Sequence, residues 1–179
     1  VRQKILAICG STRQRSANLD LISAIIKRFS NIEVEIFKGL DAIPHFNPDL
    51  DNEEPPGTVL EFRNRLKEAD GVLICTPEYA MGVPGTLKNA IDWTVSSMEF
   101  SHKPTALITA STSGEKGHRS LMETLKVIEA EIPDSSQLLI PHIKTKLKSD
   151  EIIHPDTLTH VENLINSLIN SIKEEQNVK

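Results

Sequence analysis

The chain has 179 residues, 39% hydrophobic and 25% charged, the make-up of one folded domain with a sizeable core rather than of a disordered polymer. A formal charge of −5 is a poor match to a nucleic-acid backbone, and no apolar run approaches the roughly 18 residues that span a membrane, so neither partner is expected. Two cysteines, Cys9 and Cys75, can form neither a disulfide framework nor a four-ligand zinc site, and no metal is expected.

Val-Arg-Gln-Lys leads directly into an apolar segment with no signal-peptide h-region, so a reducing, cytoplasmic location is the expectation. Lys4 to Cys9 (KILAIC) reads as a strand, followed by a polar loop from Gly10 to Ser16. Leu21, Ile22, Ile25, Ile26 and Phe29 then recur at helical spacing. Glu33 to Phe37 (EVEIF) alternates polar and apolar, which suits a strand at or near a sheet edge. The Pro-rich, acidic stretch from Lys38 to Pro56 is irregular, and its acids 49–54 read as a solvated loop. A helix is expected from Thr58 to Ala69, then a fully buried strand from Gly71 to Thr76 (GVLICT) and a loop from Pro77 to Val83. Pro84 is placed to start a helix carrying Leu87, Ala90, Ile91, Trp93 and Val95. Trp93 and Met98 read as core or subunit interface.

Thr105 to Ala110 (TALITA) is the fourth expected strand, Ser111 to Gly117 a small-residue loop, and Leu121, Leu125, Ile128 and Ile132 mark a helix. His118 reads as solvent-facing. Leu138 to Ile140 is a fifth strand, and Lys144, Lys146 and Lys148 form a basic ladder on a solvated loop or edge. Leu158, Val161, Leu164, Ile165, Leu168, Ile169 and Ile172 stripe a last helix with Pro155 near its start, ahead of a polar tail after Lys173. With no internal repeat, a single domain over 1–179 is expected. Strands alternating with helices predict a parallel, doubly wound α/β sheet covered on both faces, with its ligand beyond the carboxyl ends of the strands. The loops 10–16, 77–83 and 111–117 leave those ends and should converge on one site.

The first of these loops is built to take an anion. Ser11, Thr12 and Ser16 bring hydroxyls, Asn18 an amide, and Arg13 and Arg15 guanidinium groups to the start of a helix, whose N–H groups and dipole favour negative charge. The spacing fits neither G-x-x-x-x-G-K-[ST] nor G-x-G-x-x-G, so neither a P-loop nor a Rossmann dinucleotide site is indicated. The bland alternative is helix capping by Ser16 beside two solvated arginines.

Gly10-Ser11-Thr12-Arg13-x-x-Ser16-x-Asn18, with Thr76-Pro77-Glu78-Tyr79 and Pro84-Gly85-x-Leu87-Lys88-Asn89-Ala90-Ile91-Asp92-Trp93, resembles the NADPH-dependent FMN reductase family, flavodoxin-like quinone, chromate and azo-dye reductases. The likeness runs from about Lys4 to Ile132. It implies a flavodoxin-like five-stranded sheet of order 2-1-3-4-5, FMN as cofactor, NADPH or NADH as reductant and a small-molecule electron acceptor. It implies further that Ser11, Arg13, Ser16 and Asn18 hold the FMN phosphate. Pro77, Glu78, Tyr79 and Ala80 would border the ring, and Ser111 to Gly114 its other side. A homodimer or homotetramer is implied, with Lys88 or Asp92 near the interface. The chain departs from the family pattern at Ala80, where Asn is usual, and at Gly117-His118, where a Gly pair is common.

Hydride transfer at a flavin needs orientation and electrostatics from the protein, so no side chain is named as catalytic. One ring face serving NAD(P)H and acceptor in turn would give ping-pong kinetics. Two other readings compete. An FMN-binding electron carrier or redox sensor would share the fold, although true flavodoxins hold phosphate without arginine. Cys9 to Ser16 also satisfies C-x-x-x-x-x-R-S, the phosphate loop of tyrosine phosphatases, with Cys9 as nucleophile and Arg15 as clamp. That chemistry wants an acid in an Asp-Pro dipeptide, and the chain has none.

Overall fold

Three apolar runs become the centre of one sheet: β1 (Lys4–Cys9), β3 (Gly71–Thr76) and β4 (Thr105–Ser111). They lie between the edge strands β2 (Glu33–Ile36) and β5 (Gln137–Pro141) in a computed structural model that describes residues 2–178. All pairs are parallel and the order is β2-β1-β3-β4-β5, a flavodoxin-like α/β fold. β3 is buried along its whole length while β2 is exposed or half-buried, as their continuous and alternating patterns require.

Successive side chains of a strand point to opposite faces, so each central strand feeds two cores. Leu6, Ile8, Val72, Ile74 and Leu107 pack against α2 (Gly57–Glu68), α3 (Gly85–Asp92) and α4 (Glu115–Val127), where Phe62, Leu87 and Leu125 are fully buried. Ile5, Ala7, Leu73, Cys75, Ala106 and Ile108 face α1 (Ala17–Arg28) and α5 (Pro155–Val178). Among the described residues no helix is long and apolar enough to cross a membrane.

The structure corrects several local readings. α3 stops at Asp92; Trp93 is buried, but Val95 and Met98 are exposed, Met98 at φ +60° in a turn, which excludes the core and not the subunit interface of its two readings. The segment after Lys173 continues as helix to Val178. Between β5 and α5 lies an unforeseen antiparallel hairpin, β6 (Leu147–Lys148) with β7 (Glu151–Ile152), packed on α1. The acidic stretch is pinned rather than simply solvated. Asp51 pairs with Arg63 at 2.6 Å, and their side chains are only 10% and 7% exposed. The Ser96 hydroxyl donates to the other Asp51 oxygen at 2.6 Å, and Arg63 also donates to the Trp93 carbonyl.

Candidate active site

Strand register sets the level from which the loops depart. Cys9 is opposite Cys75, Thr76 opposite Thr109, and Ser111 opposite Pro141, so the turns after β1, β3, β4 and β5 open at one end of the sheet. Gly10 begins the first turn, its N–H donating to the Cys75 carbonyl at 2.8 Å. A Cβ there would lie 2.3 Å from Thr76 Oγ1, so no larger residue passes this point without displacing β3.

Beyond Gly10 the backbone turns its donors to the cleft. Among the described residues, no protein acceptor takes a hydrogen bond from any backbone N–H from Thr12 to Leu19. A helix N-terminus leaves about four such groups free; here the free donors continue back through the turn. Ser16 occupies the N-cap position of α1 with extended backbone, yet its buried hydroxyl makes no capping bond, so the capping alternative fails. Asn18 is also buried. Its amide donates to the Ala110 carbonyl at 3.2 Å and its Oδ1 accepts from the Cys75 thiol at 3.3 Å, which ties α1 to β3 and β4. Arg13 and Arg15 are exposed and have no carboxylate partner among the described residues.

Burial pushes the Cys9 thiol above its ordinary pKa, and Asp20 adds to this; hydrogen bonds to the sulfur from the Ser11 backbone N–H and the Ser16 side chain oppose the rise and do not cancel it. A phosphatase nucleophile needs the opposite, a thiol shifted down to the thiolate. Cys75, fully buried beside Cys9, is raised further for the same reason.

The second loop leaves β3 at the buried Pro77 and folds into a tight hairpin turn. Tyr79 and Gly82 exchange both backbone hydrogen bonds at 2.9 Å. Ala80 (φ +47°) and Met81 (φ +64°) take the two left-handed positions of that turn, where Asn and Gly are usual and other residues are strained. The turn leaves Tyr79 48% and Met81 66% exposed. Glu78 points the other way, its carboxylate accepting the Gly117 N–H at 2.7 Å and the Ser113 hydroxyl at 3.4 Å.

The third loop is shorter than the spacing implied, because Gly114 at φ +100° serves as N-cap and α4 starts at Glu115. His118 therefore lies in the helix, half-buried beneath the sheet edge. Its Nδ1 is 2.8 Å from Thr109 Oγ1 and its Nε2 3.3 Å from Gln137 Oε1. Burial lowers its pKa, and the Gln137 contact opposes this weakly.

The cleft these loops enclose measures about 590 Å³. Ser11, Arg13, Ser16, Asn18, Pro77, Glu78, Tyr79 and Ser111 all line it; Ala80 sits at the tip of the hairpin and Gly114 behind the third loop, both outside the lining. A fourth wall went unread in the sequence: His142, Ile143, Lys144 and Thr145 after β5. The His142 N–H donates to the Thr112 carbonyl at 3.2 Å, which fastens this wall to the third loop. Its legible signal was position, since it follows a strand end level with the other three.

The chain is also similar to known proteins in sequence and in fold. A family model described as NADPH-dependent FMN reductase matches residues 3–145. A NADH-dependent flavin reductase subunit 2 of Lactobacillus johnsonii is 28% identical, covering 97% of this chain and 99% of that one. A quinone reductase of Escherichia coli is 29% identical over 88% of this chain and 89% of its own. The solved FerB, a flavoenzyme NAD(P)H:(acceptor) oxidoreductase from Paracoccus denitrificans, superposes with a TM-score of 0.78 at 22% identity, covering 96% of this chain and 98% of that one, which shows the shared fold.

Proposed function

Because the chain belongs to the NADPH-dependent FMN reductase family, we propose that it holds FMN in this cleft and acts as an NAD(P)H-dependent oxidoreductase on a small-molecule acceptor. The observation that carries the reading is the run of free N–H donors from Thr12 to Leu19, set beside Arg13 and the uncapped Ser16. Such a nest at a helix N-terminus fits a phosphate monoester, and Arg13 adds a charge-assisted contact. Asn18 keeps one amide hydrogen for the ligand beyond its bond to Ala110. Ser11, Arg13, Ser16 and Asn18 then hold the phosphate, Pro77, Glu78 and Tyr79 border the ring with Ala80 beyond it at the hairpin tip, and Ser111 lines its other side with Gly114 behind.

When bound, FMN supplies the chemistry, taking hydride from NAD(P)H and passing electrons to a quinone, azo, metal-oxyanion or flavin acceptor in a second, ping-pong half-reaction. The protein needs no general acid or base for that exchange, and no side chain is assigned as catalytic. What it provides is orientation, and the half-exposed Tyr79 offers an apolar edge for each planar ligand in turn. The whole chain serves as one FMN-binding domain, and a homodimer or homotetramer forms through the face carrying Val95 and Val127. Both side chains are exposed, beside the Lys88–Asp92 ion pair of 2.5 Å.

The test is an absorbance spectrum of the purified protein with FMN, before and after anaerobic NADPH or NADH. Flavin that binds and bleaches is the expected result. Flavin that binds and stays oxidised with either nucleotide would make the protein a carrier or sensor, and no binding would overturn the cofactor assignment.

A further inference from the structure

The cleft holds more positive charge than one flavin phosphate requires. Arg13 and the free N–H groups are enough for a phosphate monoester, which carries about −1.5 to −2. Arg15 and Lys144 line the same space, and neither has a carboxylate within 4.0 Å among the described residues. They do so in a chain whose overall charge is −5. Glu78 is the single acid in the lining, and its carboxylate is taken by Gly117 and Ser113 on the α4 side.

Lys144 is also held in place. Its neighbour Ile143 is buried in the core between the sheet and the α1–α5 face. The N–H groups of Thr145 and Lys146 close turns onto the His142 and Ile143 carbonyls at 3.0 Å. Just beyond, the hairpin β6–β7 is tied to α1 by the Lys27–Asp150 ion pair. The backbone that presents the ammonium is therefore ordered before any ligand arrives, which lowers the entropic cost of using it.

We propose that Arg15 and Lys144 form a second phosphate subsite, which binds a phosphate of the pyridine nucleotide after FMN has filled the first. This rests on the reading of the cleft as a flavin site. Two phosphates of the nucleotide share the required chemistry, the 2′-phosphate that distinguishes NADPH from NADH and the diphosphate common to both. If the 2′-phosphate is the one held, these two residues set the preference for NADPH.

Three nucleotides separate the sources: 2′,5′-ADP, 5′-ADP and 5′-AMP, each titrated calorimetrically into the protein in the presence of FMN. The expected result is that one of the two diphosphorylated compounds binds about tenfold tighter than 5′-AMP, the worth of a charge-assisted contact. Preference for 2′,5′-ADP assigns the 2′-phosphate, and preference for 5′-ADP the diphosphate. Lys144→Ala and Arg15→Ala should each remove most of that preference, Lys144→Glu should reverse it, and Lys144→Arg should restore it. Equal binding of all three by the wild type, or a preference that survives both alanine variants, overturns the subsite. A separate FMN titration, read by quenching of flavin fluorescence, reports on the cofactor alone. Absence of FMN binding removes the proposed function, whereas FMN binding with no nucleotide preference removes only the second subsite.

Discussion

Glu78 caps helix α4 from a different loop. Its Oε2 accepts the Gly117 N–H, the third of the helix, at 2.7 Å, a bond that a side chain at the N-cap would ordinarily make. The N-cap residue is Gly114, which has no side chain to offer. The contact also locks the second loop to the third, because a Cβ on Gly117 would stand 2.8 Å from the Gly82 carbonyl and 3.0 Å from Glu78 Cγ.

Removing this cap should cost about 1–2 kcal/mol in Glu78→Ala and less in Glu78→Gln, which keeps an acceptor. Gly117→Ala should also destabilise, by about 1–3 kcal/mol, since its obstacle is backbone and cannot swing away. Gly85→Ala, whose Cβ would meet nothing within 4 Å, should instead gain up to about 1 kcal/mol from helix propensity. Urea unfolding midpoints at constant slope read all four variants, and a Gly117→Ala as stable as Gly85→Ala would contradict the packing argument.

Arg13→Ala should weaken FMN binding about tenfold to a hundredfold, the range of one or two charge-assisted hydrogen bonds to phosphate. Riboflavin, which lacks the phosphate, should bind wild type and variant alike. A loss that is equal for both flavins would place Arg13 elsewhere in the site.

Among the described residues Arg63 is the only cation paired with Asp51, and both are nearly buried. Arg63→Met should therefore cost about 3 kcal/mol, because it leaves the Asp51 carboxylate without a cation and the Trp93 carbonyl with only the long Ser97 hydroxyl bond. The double variant Arg63→Met/Asp51→Leu should recover part of that loss. Burial raises the Asp51 carboxyl, but the hydrogen bonds from Arg63 and Ser96 and the Arg63 charge outweigh it and hold the pKa below its ordinary value. The associated stability is present above about pH 4 and fades as pH falls through the lowered native value. A variant that melts with the wild type at neutral pH would dismiss the pair as a stabilising element.

His118 has the corresponding behaviour of a base. Its native pKa lies below the ordinary value of about 6.5, so the unfolded chain binds the proton first as pH falls. Its contribution is complete above pH ~6.5 and is lost on acidification through the lower native value. Wild-type melting temperature should thus fall more steeply on acidification below about pH 6.5 than that of His118→Gln. Parallel curves for the two proteins would show that the Thr109–His118–Gln137 contact does not titrate.

Much of this was legible because it is written between near neighbours. KILAIC, GVLICT and TALITA announce buried strands by composition alone, and the stripe from Leu158 to Ile172 announces a helix by its period. The turn at Gly10 and the hydroxyls and arginines after it gather within nine residues the groups proposed to take the flavin phosphate. Misread places were those whose meaning depends on a distant partner. His118 looked solvent-facing because Thr109 and Gln137, which cover it, reach it only after β4 and β5 pair. Asp51 looked like one more solvated acid until α2 brought Arg63 to it.

The amino-acid order by itself determined the β–α alternation, the family and the chemistry of the first loop, since strand, helix and turn preferences act over a few consecutive residues. Only the tertiary structure decided that Glu78 would cap α4, that Ala80 would tip a strained hairpin outside the cleft, and that Lys144 would complete a fourth wall. Those outcomes rest on strand register and helix packing. These bring together side chains dozens of residues apart, and no local spacing encodes which of them will meet.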